Sequence, residues 1–431
     1  MPSPDSKRRI RRKPSKPTPM FPLTPHGNGQ WCKKIRGKVH FFGVWEDPQK
    51  ALGNYLRVAA DLHAGRQPKE SSLSPDGVTV KEVANHFLTE QMRRTENKEI
   101  GAIWFHDCLN TARHFCRFVG AGRLVDDVRP EEFQQYRNQL IRRGLTGKRG
   151  LGPYSLDRSI IVVKSMFDHA YQNELIDRPV RFGRMFRQSS ALEKRRARAE
   201  QQVKYGKRML AAGDILRLLE VAEPAMRAMI LLGINGGMGN TDCALLPISA
   251  IDRERALIEF PRPKTGVERV VALWPETLRA IEEAIKARPK PATAEHAGLV
   301  FLTVRGRPWV RQIIEKKDGQ IEKVTRVDPL GEEFEKLLKR LGLKRKGLGF
   351  YALRHGFQTW ADETRDEHAV SRIMGHLIRG MSAHYIEEIE LPRIRAVSDF
   401  VRNKLFAISD SNPGAQSKAD LRSDEVKPDV N

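Results

Sequence analysis

The sequence has little of what marks secreted or membrane proteins. Only four of its 431 residues are cysteines, and Cys32, Cys108, Cys116 and Cys243 are scattered, without a paired metal-ligand spacing. They predict reduced, buried thiols in a cytosolic protein rather than a disulfide framework or a zinc site. No apolar run approaches the length that spans a bilayer, and the basic, proline-rich N-terminus lacks an apolar signal core. These absences predict a cytoplasmic protein without a membrane partner.

Acidic residues are also in short supply. The chain has 76 Lys and Arg residues against 53 Asp and Glu residues, which leaves a net charge of +23 at pH 7. Because each neutralised phosphate releases condensed counterions, a surplus of this size favours a polyanionic partner. Hydrophobic residues make up 40% of the chain, which is ordinary for a folded protein. The length suffices for two or three domains with cores of their own.

The N-terminal part predicts a basic arm followed by a small module. Residues 1–20 carry seven basic side chains between prolines, cannot bury a core and are predicted to be disordered. In the module, residues 21–69, two strands at 30–36 and 38–42 are followed by a helix that Asp47 caps. A basic hairpin backed by one helix suits a DNA-reading module, for example one for arm-type sites. It suits a packing appendage equally well.

Helical periodicity dominates the middle of the chain. Four apolar stripes within residues 79–182 predict four helices and an all-α domain. Residues 183–208 form a strongly basic connector, which could help two domains close around a duplex. A charged helix end is the alternative interpretation.

A second large domain is predicted over residues 209–407. It begins with a buried helix at 226–232, which leads into a glycine-rich segment. Three strands are expected after it: 256–260, 269–273 and 299–303. The first two are joined by a hairpin loop with Lys264 near its tip. Residues 408–431 lack periodicity and are predicted to be a disordered tail.

Chemistry-bearing side chains are concentrated between residues 347 and 389. These side chains are Tyr351, Arg354, His355, His376 and Tyr385. At helical spacing the first three are predicted to share a face, and the next helix is predicted to end near Gly380. A second helix then carries the last tyrosine. A cationic arginine, a histidine and an exposed tyrosine suit phosphoryl transfer through a phenolate nucleophile. The alternative is a core tyrosine with basic neighbours.

This order of elements resembles the tyrosine recombinases, the integrase family of phages and mobile elements. The resemblance covers roughly residues 79–406 and rests on Leu353-Arg354-His355, Met374-Gly375-His376, Tyr385 and the hairpin Lys264. It implies a multidomain, mainly α fold with a small antiparallel sheet. A SAM-like all-α core-binding domain would precede an α+β tyrosine-recombinase catalytic domain.

The resemblance also implies roles for four side chains. Tyr385 would attack the scissile phosphate and form a 3′-phosphotyrosyl link, while Arg354 would hold the non-bridging oxygens with its planar fork. His376 would donate a hydrogen bond to the phosphate or assist proton movement at the nucleophile. Lys264 would protonate the departing 5′-oxygen. Two transesterifications conserve bond energy, so the resemblance implies no cofactor, neither ATP nor a metal.

Two further side chains are secondary candidates for the same site. Tyr351 stands three residues before Arg354, where the family usually has histidine, and its hydroxyl can still donate a hydrogen bond. His355 follows Arg354 directly and is expected beside it.

One position departs from the family pattern in a way that matters for activity. The first catalytic arginine usually follows a Gly-apolar pair, but here Met238 is followed by Gly239. Loss of one charged donor from a phosphoryl-transfer site typically costs on the order of 3–5 kcal/mol of transition-state stabilisation. Arg262 or an arginine of the connector could fill the gap. Asn240 could also donate to the phosphate, though without charge.

The resemblance implies double-stranded DNA as the partner and a site-specific recombinase in the cytoplasm, associated with the nucleoid. A homotetramer on synapsed sites would form through the last helix, whose apolar side is Ile394, Val397, Val401 and Leu405. Packing of that helix within the chain is the alternative. Two other functions stay open: a catalytically impaired, recombinase-like DNA-binding protein, which Gly239 favours, and a type IB topoisomerase-like enzyme, which the separate helical domain disfavours.

Overall fold

The structure, a computed structural model, describes residues 13–65, 77–377 and 389–410. The first twelve residues of the basic arm, Tyr385 with the helix predicted around it, and residues 411–431 of the tail lie outside the described residues. The chain divides into two compact units. The first comprises residues 1–197 and 314–324, and the second comprises residues 198–313 and 325–431.

The N-terminal module is a three-stranded antiparallel sheet packed on one helix. Its elements are β1 (Thr24–Pro25), β2 (Gln30–Ile35), β3 (Lys38–Val44) and α1 (Pro48–Ala64). The β2–β3 turn has positive φ at Arg36 and Gly37, 48° and 85°, which matches the twist of a two-residue hairpin. The Asp47 carboxylate accepts from Lys50 N at 2.9 Å, so the predicted N-cap is confirmed. Strand β1 was not predicted.

Four helices form the all-α part of the first unit, as predicted. They are α2 (Val80–Glu96), α3 (Ala102–Val119), α4 (Pro130–Arg143) and α5 (Pro153–Gln172). Thr79 begins α2 with a capping box, in which its hydroxyl accepts from Glu82 N and the Glu82 carboxylate accepts from Thr79 N. Helix α4 begins at Pro130, and a separate 3₁₀ turn, Val125–Asp127, precedes it. Their core is rich in buried aromatic rings.

The connector contains a helix without buried residues. Helix α6 (Ala191–Tyr205) has no buried residue. Its start is joined to the helical domain by an ion pair between Lys194 and Asp157 at 2.7 Å. A helix that is polar all round leaves its basic side chains free for other contacts.

The second unit contains short strands and eight helices among its described residues. In chain order these are α7 (Ala212–Val221), α8 (Pro224–Asn235), α9 (Asn240–Ala244), β4 (Ile251–Asp252), β5 (Leu257–Glu259), β6 (Val270–Ala272), α10 (Pro275–Lys286), α11 (Pro329–Arg340), α12 (Tyr351–Ala361), α13 (Glu367–Met374) and α14 (Leu391–Asp410). Strands β4, β5 and β6 form an antiparallel sheet. Helix α8 is buried at the centre of the core, and Asn235 at its end donates to Ala272 O and accepts from Trp274 N.

The strands of this region differ from the prediction in two ways. The strand expected at 299–303 is wrong: it forms only single bridges, Pro247 with Leu299 and Leu302 with Pro308. A hairpin of β7 (Arg311–Lys317) and β8 (Gln320–Val327) was not predicted. Its strands are mostly charged, and its two buried anchors, Ile321 and Val324, are three residues apart, so no period-2 pattern marks it. In the first unit these anchors pack on Phe105 and Leu109.

The C-terminal ends of two helices also differ from their predicted positions. Helix α13 ends at Met374 because Gly375 caps it in the left-handed conformation, φ 62° and ψ 46°. The end expected near Gly380 is therefore wrong, and Gly380 itself lies outside the described residues. Helix α14 continues to Asp410, two residues past the expected start of the tail at 408.

Within residues 13–65, 77–377 and 389–410, every helix falls short of the length and apolarity needed to cross a bilayer. All four cysteines are free thiols. Three are buried and Cys116 is half-buried.

Candidate active site

Arg354 lies in α12 with its guanidinium enclosed by backbone. The residue is 2% exposed, and Nη1 donates to Gly237 O at 2.5 Å while Nη2 donates to Met374 O at 3.0 Å. Gly237 permits this approach, since its φ is 60° and a Cβ there would lie 3.1 Å from Phe357 and 3.2 Å from Met374. Met374 is the last residue of α13, where helix carbonyls carry partial negative charge. The chain therefore fixes one guanidinium between two element ends.

His376 completes the set of partners around this guanidinium. Arg354 Nη2 lies 2.6 Å from His376 Nε2, and because arginine only donates, Nε2 is the acceptor. Its proton is then on Nδ1. Burial, followed by the positive charges of Arg354 and Arg262, lowers the pKa of His376 to about 4. The imidazole is therefore neutral at pH 7, with Nδ1–H as its remaining donor.

The partners of Arg354 leave its charge uncompensated. Among the described residues its hydrogen bonds go to two carbonyls and a neutral imidazole, and none goes to a carboxylate. Burial and the nearby Arg262 lower the pKa of Arg354 to about 10, so the group stays protonated at pH 7. Asp242 is near enough to help raise the pKa of Arg354, but it pairs with Arg269, so an anion bound beside Arg354 would relieve the remaining cost of burying its charge. The geometry is that of an anion site.

A second buried arginine has a carboxylate partner. Arg269 Nη1 lies 3.3 Å from Asp242 Oδ2, with side chains 0% and 8% exposed. The same carboxylate oxygen accepts from Gly239 N at 2.8 Å. The Arg269 contact is an ion pair by distance, and neither Nη1 nor Nη2 has a hydrogen-bond partner in the described part of the chain. Sequence reasoning missed this pair. The signal for it was Arg269, a charged residue at the first position of the otherwise apolar strand predicted at 269–273.

The backbone at Gly239 does not require glycine. Its φ of −92° and ψ of 175° are extended values that any residue adopts. A Cβ there would lie 3.4 Å from Asp242 Oδ2 and 3.5 Å from the Tyr351 ring, which are ordinary contacts. Position 239, where the sequence comparison with the family predicts an arginine, is therefore open to a side chain.

The hairpin loop between β5 and β6 contains Arg262 and Lys264. Arg262 N donates to Val267 O at 2.8 Å, and Arg262 O accepts from Gly266 N at 2.9 Å, which closes a tight loop. Lys264 is exposed at the tip, as predicted, and Arg262 is half-buried. Among the described residues neither side chain has an ion pair, so both cations are available to an anionic ligand.

The match to a family model decides the identity of this region. The model described as "Phage integrase family" matches residues 208–390. Residues 208–390 match this family and are named the integrase-family domain. The resemblance drawn from Lys264, Arg354, His376 and Tyr385 is thereby confirmed for this integrase-family domain.

Solved structures of tyrosine recombinases are similar to the chain at low identity. A lambda integrase tetramer bound to a Holliday junction is 16% identical with a TM-score of 0.49, over 86% of this chain and 98% of that one. A Tn1549 transposon integrase in complex with transposon right-end DNA is 15% identical with a TM-score of 0.48, over 75% of this chain and 100% of that one. XerA recombinase is 16% identical with a TM-score of 0.32, over 73% and 98%. No curated protein matches the chain.

Tyr351 and His355 differ from Arg354 in burial in the integrase-family domain. Both are exposed, Tyr351 by 47%, and their rings meet edge to face with centroids 5.3 Å apart. Arg354 instead turns inward, because residues adjacent in a helix point about 100° apart. Partial desolvation, then the positive charges of Arg208 and Arg198, lowers the pKa of His355. The Tyr351 hydroxyl still helps to raise the pKa of Arg354, and the charge of Arg354 helps to lower the pKa of His355, so the three side chains lie near one another although only Arg354 is buried.

Asn240, a predicted uncharged donor, is already engaged. Its Nδ2 donates to both carboxylate oxygens of Asp328, at 3.2 and 3.1 Å. Asp328 in turn caps α11, where its Oδ1 accepts from Gly331 N. Asn240 thus joins α9 to α11.

Proposed function

We propose that the protein is a site-specific DNA recombinase that cuts and rejoins duplex DNA through a 3′-phosphotyrosyl intermediate. The observation that carries this proposal is the buried Arg354 guanidinium, which has no carboxylate among its described partners and lies in an integrase-family domain. A scissile phosphate would supply the missing negative charge. The net charge of +23 supports a duplex DNA partner.

In this proposal the phosphate binds against Arg354 and His376. The guanidinium holds a non-bridging oxygen in a site shielded from water, where charge-assisted hydrogen bonds are strongest. His376 donates from Nδ1, because its Nε2 is taken by Arg354. A neutral imidazole suits this role, since a second full charge would raise the repulsion within the cluster.

The bond changes need two further groups. Tyr385 lies outside the described residues, so its role rests on its spacing from His376 and on the family. Its Oη attacks phosphorus and its phenolic proton passes to water. The bond to the 5′-oxygen breaks as Lys264 Nζ protonates that oxygen. A 5′-hydroxyl of a second strand then gives its proton to the neutral Lys264 amine and attacks phosphorus, the bond to Tyr385 Oη breaks, and that oxygen takes a proton from water, so the number of phosphoester bonds is conserved.

The remaining parts of the proposal concern assembly and the N-terminal module. A homotetramer on synapsed sites, at the nucleoid, would bring two duplexes together. The described part of α14 has few side chains available for contact with another subunit. Val397 and Val401 lie in the core of their own unit, and Arg402 pairs with Glu276. For the N-terminal module, Val39 and Phe41 are 47% and 44% exposed beside basic residues of β2 and β3. This mixed surface favours arm-type DNA binding.

Covalent trapping tests the proposal. The wild-type protein and Tyr385→Phe are incubated with a nicked suicide substrate, which carries the site that the protein selects from a random-sequence pool. We expect an SDS-resistant adduct with the wild type alone and equal DNA binding by both. Tight binding without an adduct would favour the DNA-binding protein without chemistry. Relaxation of plasmids that lack the site would favour the topoisomerase.

A further inference from the structure

We propose that Arg262 is the second phosphate-binding cation of the site and replaces the arginine that is absent at Gly239. The inference rests on the proposed strand-transfer function and adds one catalytic residue to it. In the reaction, the Arg262 guanidinium would hold a non-bridging oxygen of the same phosphate that Arg354 binds.

The position of Arg262 against Gly375 carries the inference. A Cβ built on Gly375 would lie 3.0 Å from Arg262 Cβ and 3.4 Å from its Cδ, so the arginine stem runs along this glycine. Gly375 stands between the two residues that hold Arg354, which are Met374 through its carbonyl and His376 through Nε2. Arg262 therefore packs on the same three-residue segment that fixes the first guanidinium.

The charges around Arg354 agree with this position of Arg262. The positive charge of Arg262 helps to lower the pKa of both Arg354 and His376, second to burial for the arginine. The described groups are three arginines, at 262, 269 and 354, with Asp242 as the carboxylate that faces them and His376 neutral. Three positive charges and one negative charge leave about +2 at the centre of the site. A doubly bound phosphodiester anion is the ligand chemistry that such a site fits.

The other side chains that could replace the absent arginine have partners or positions that fit this role less well. Arg269 has a side chain 0% exposed and paired with Asp242, so it cannot reach a DNA phosphate. Asn240 donates to Asp328. Arg198 and Arg208 are exposed and help to lower the pKa of the exposed His355, whereas Arg262 packs on the segment that holds Arg354. Arg262 is half-buried and has no ion pair within the described ranges.

The first test compares cleavage rates of folded variants on the suicide substrate. We expect Arg262→Ala to lower the rate of adduct formation about 100-fold, as loss of one charged donor to the transition state does, with less effect on DNA affinity. Arg262→Lys should recover part of the rate. The matched control is Arg253→Ala, an exposed arginine of the β4–β5 turn, which should cleave like the wild type.

A restoring variant keeps the test independent of damage to the loop. Gly239 has extended backbone and room for a Cβ, so Gly239→Arg is compatible with the fold. In the Arg262→Ala background it should raise cleavage at least tenfold, because it returns a guanidinium to the family position. No restoration, combined with an unchanged rate for Arg262→Ala alone, would overturn the assignment.

A methylphosphonate at the scissile position separates catalysis from structure. This substrate lacks the negative charge that a second cation would stabilise, so the Arg262→Ala loss should shrink to less than about tenfold relative to the wild type. An equal loss on both substrates would show a structural role and overturn the inference. If the wild type forms no adduct on either substrate while DNA binding persists, the proposed function itself fails. A wild-type adduct with an unaffected Arg262→Ala variant removes only the role of Arg262.

Discussion

Arg354 and His376 were identifiable from the sequence as motif residues, but their arrangement was not. The pair predicted a cation and a donor near one phosphate. That Arg354 is buried, that it occupies Nε2 of His376 and that it has no described carboxylate follow from contacts between α12 and the end of α13. Such contacts join residues 20 or more positions apart. The same holds for Arg269 and Asp242, whose pairing no local pattern in the chain announces.

The neutral state of His376 has a measurable consequence for stability. Its folded-state pKa, about 4, lies below the ordinary value of 6.5, so between these pH values the unfolded chain binds more protons than the folded protein. The free energy of unfolding therefore falls as the pH falls from about 6.5 to 4. We expect His376→Gln, which keeps an acceptor for Arg354, to lose less stability than the wild type over this range.

Urea unfolding of both proteins at pH 7.0 and pH 5.0 measures the difference. His114, His169 and His355 also have lowered pKa values, but they are present in both proteins and their contributions cancel. An identical loss of stability in wild type and variant would contradict the neutral His376.

At the scale of elements, the core of the candidate site depends on two short connections. The ion pair of Asp242 with Arg269 joins α9 to the residue that precedes β6, and Gly375 ends α13 where Arg262 packs. Periodicity predicted most helices because their apolar stripes are long. It missed the β7–β8 hairpin, whose strands bury only two residues, and it predicted a helix end near Gly380 where Gly375 ends the helix.

The buried ion pair should be much more important for stability than a surface pair. Asp242→Ala leaves Arg269 buried without its carboxylate and Gly239 N without an acceptor. We expect a loss of about 3–5 kcal/mol in the free energy of unfolding. Glu259→Ala, which removes the exposed Arg255–Glu259 pair at 3.5 Å, is the control and should change it by less than about 1 kcal/mol. Denaturant titration of the two variants checks this, and similar losses would contradict the structural role of the buried pair.

The glycine that ends α13 should resist substitution. At Gly375 a Cβ would meet Arg262 Cβ at 3.0 Å, on a backbone with φ 62°. Gly375→Ala should therefore destabilise the protein by about 1–2 kcal/mol, since left-handed backbone is unfavourable for L-residues. Gly213→Ala is the matched control, because Gly213 lies in α7 with nothing within 4 Å of its Cβ position. Thermal unfolding should show a lower midpoint for the first variant and an equal or higher midpoint for the second.

At the scale of the whole molecule, composition alone indicated the class of partner. The chain has 76 basic and 53 acidic residues, and most of the resulting net charge of +23 comes from the arm, the N-terminal module and the basic connector, residues 183–208. Such a charge predicts binding to duplex DNA that depends steeply on salt. If the protein contacts six to ten phosphates, affinity should fall about 10³-fold or more between 50 and 200 mM NaCl. Fluorescence anisotropy with a labelled duplex measures the slope, and a change of less than tenfold would contradict a phosphate-dominated interface.

The central claim, that this domain transfers DNA strands through Tyr385, is tested most directly by locating the covalent bond. The trapped adduct is digested with nuclease and trypsin, and the peptide that retains a nucleotide is sequenced by mass spectrometry. Trypsin should release residues 380–393 as one peptide, and Tyr385 is its single tyrosine. We predict the nucleotide on that peptide. A nucleotide on Tyr351, on Tyr205 or on a residue other than tyrosine would contradict the claim.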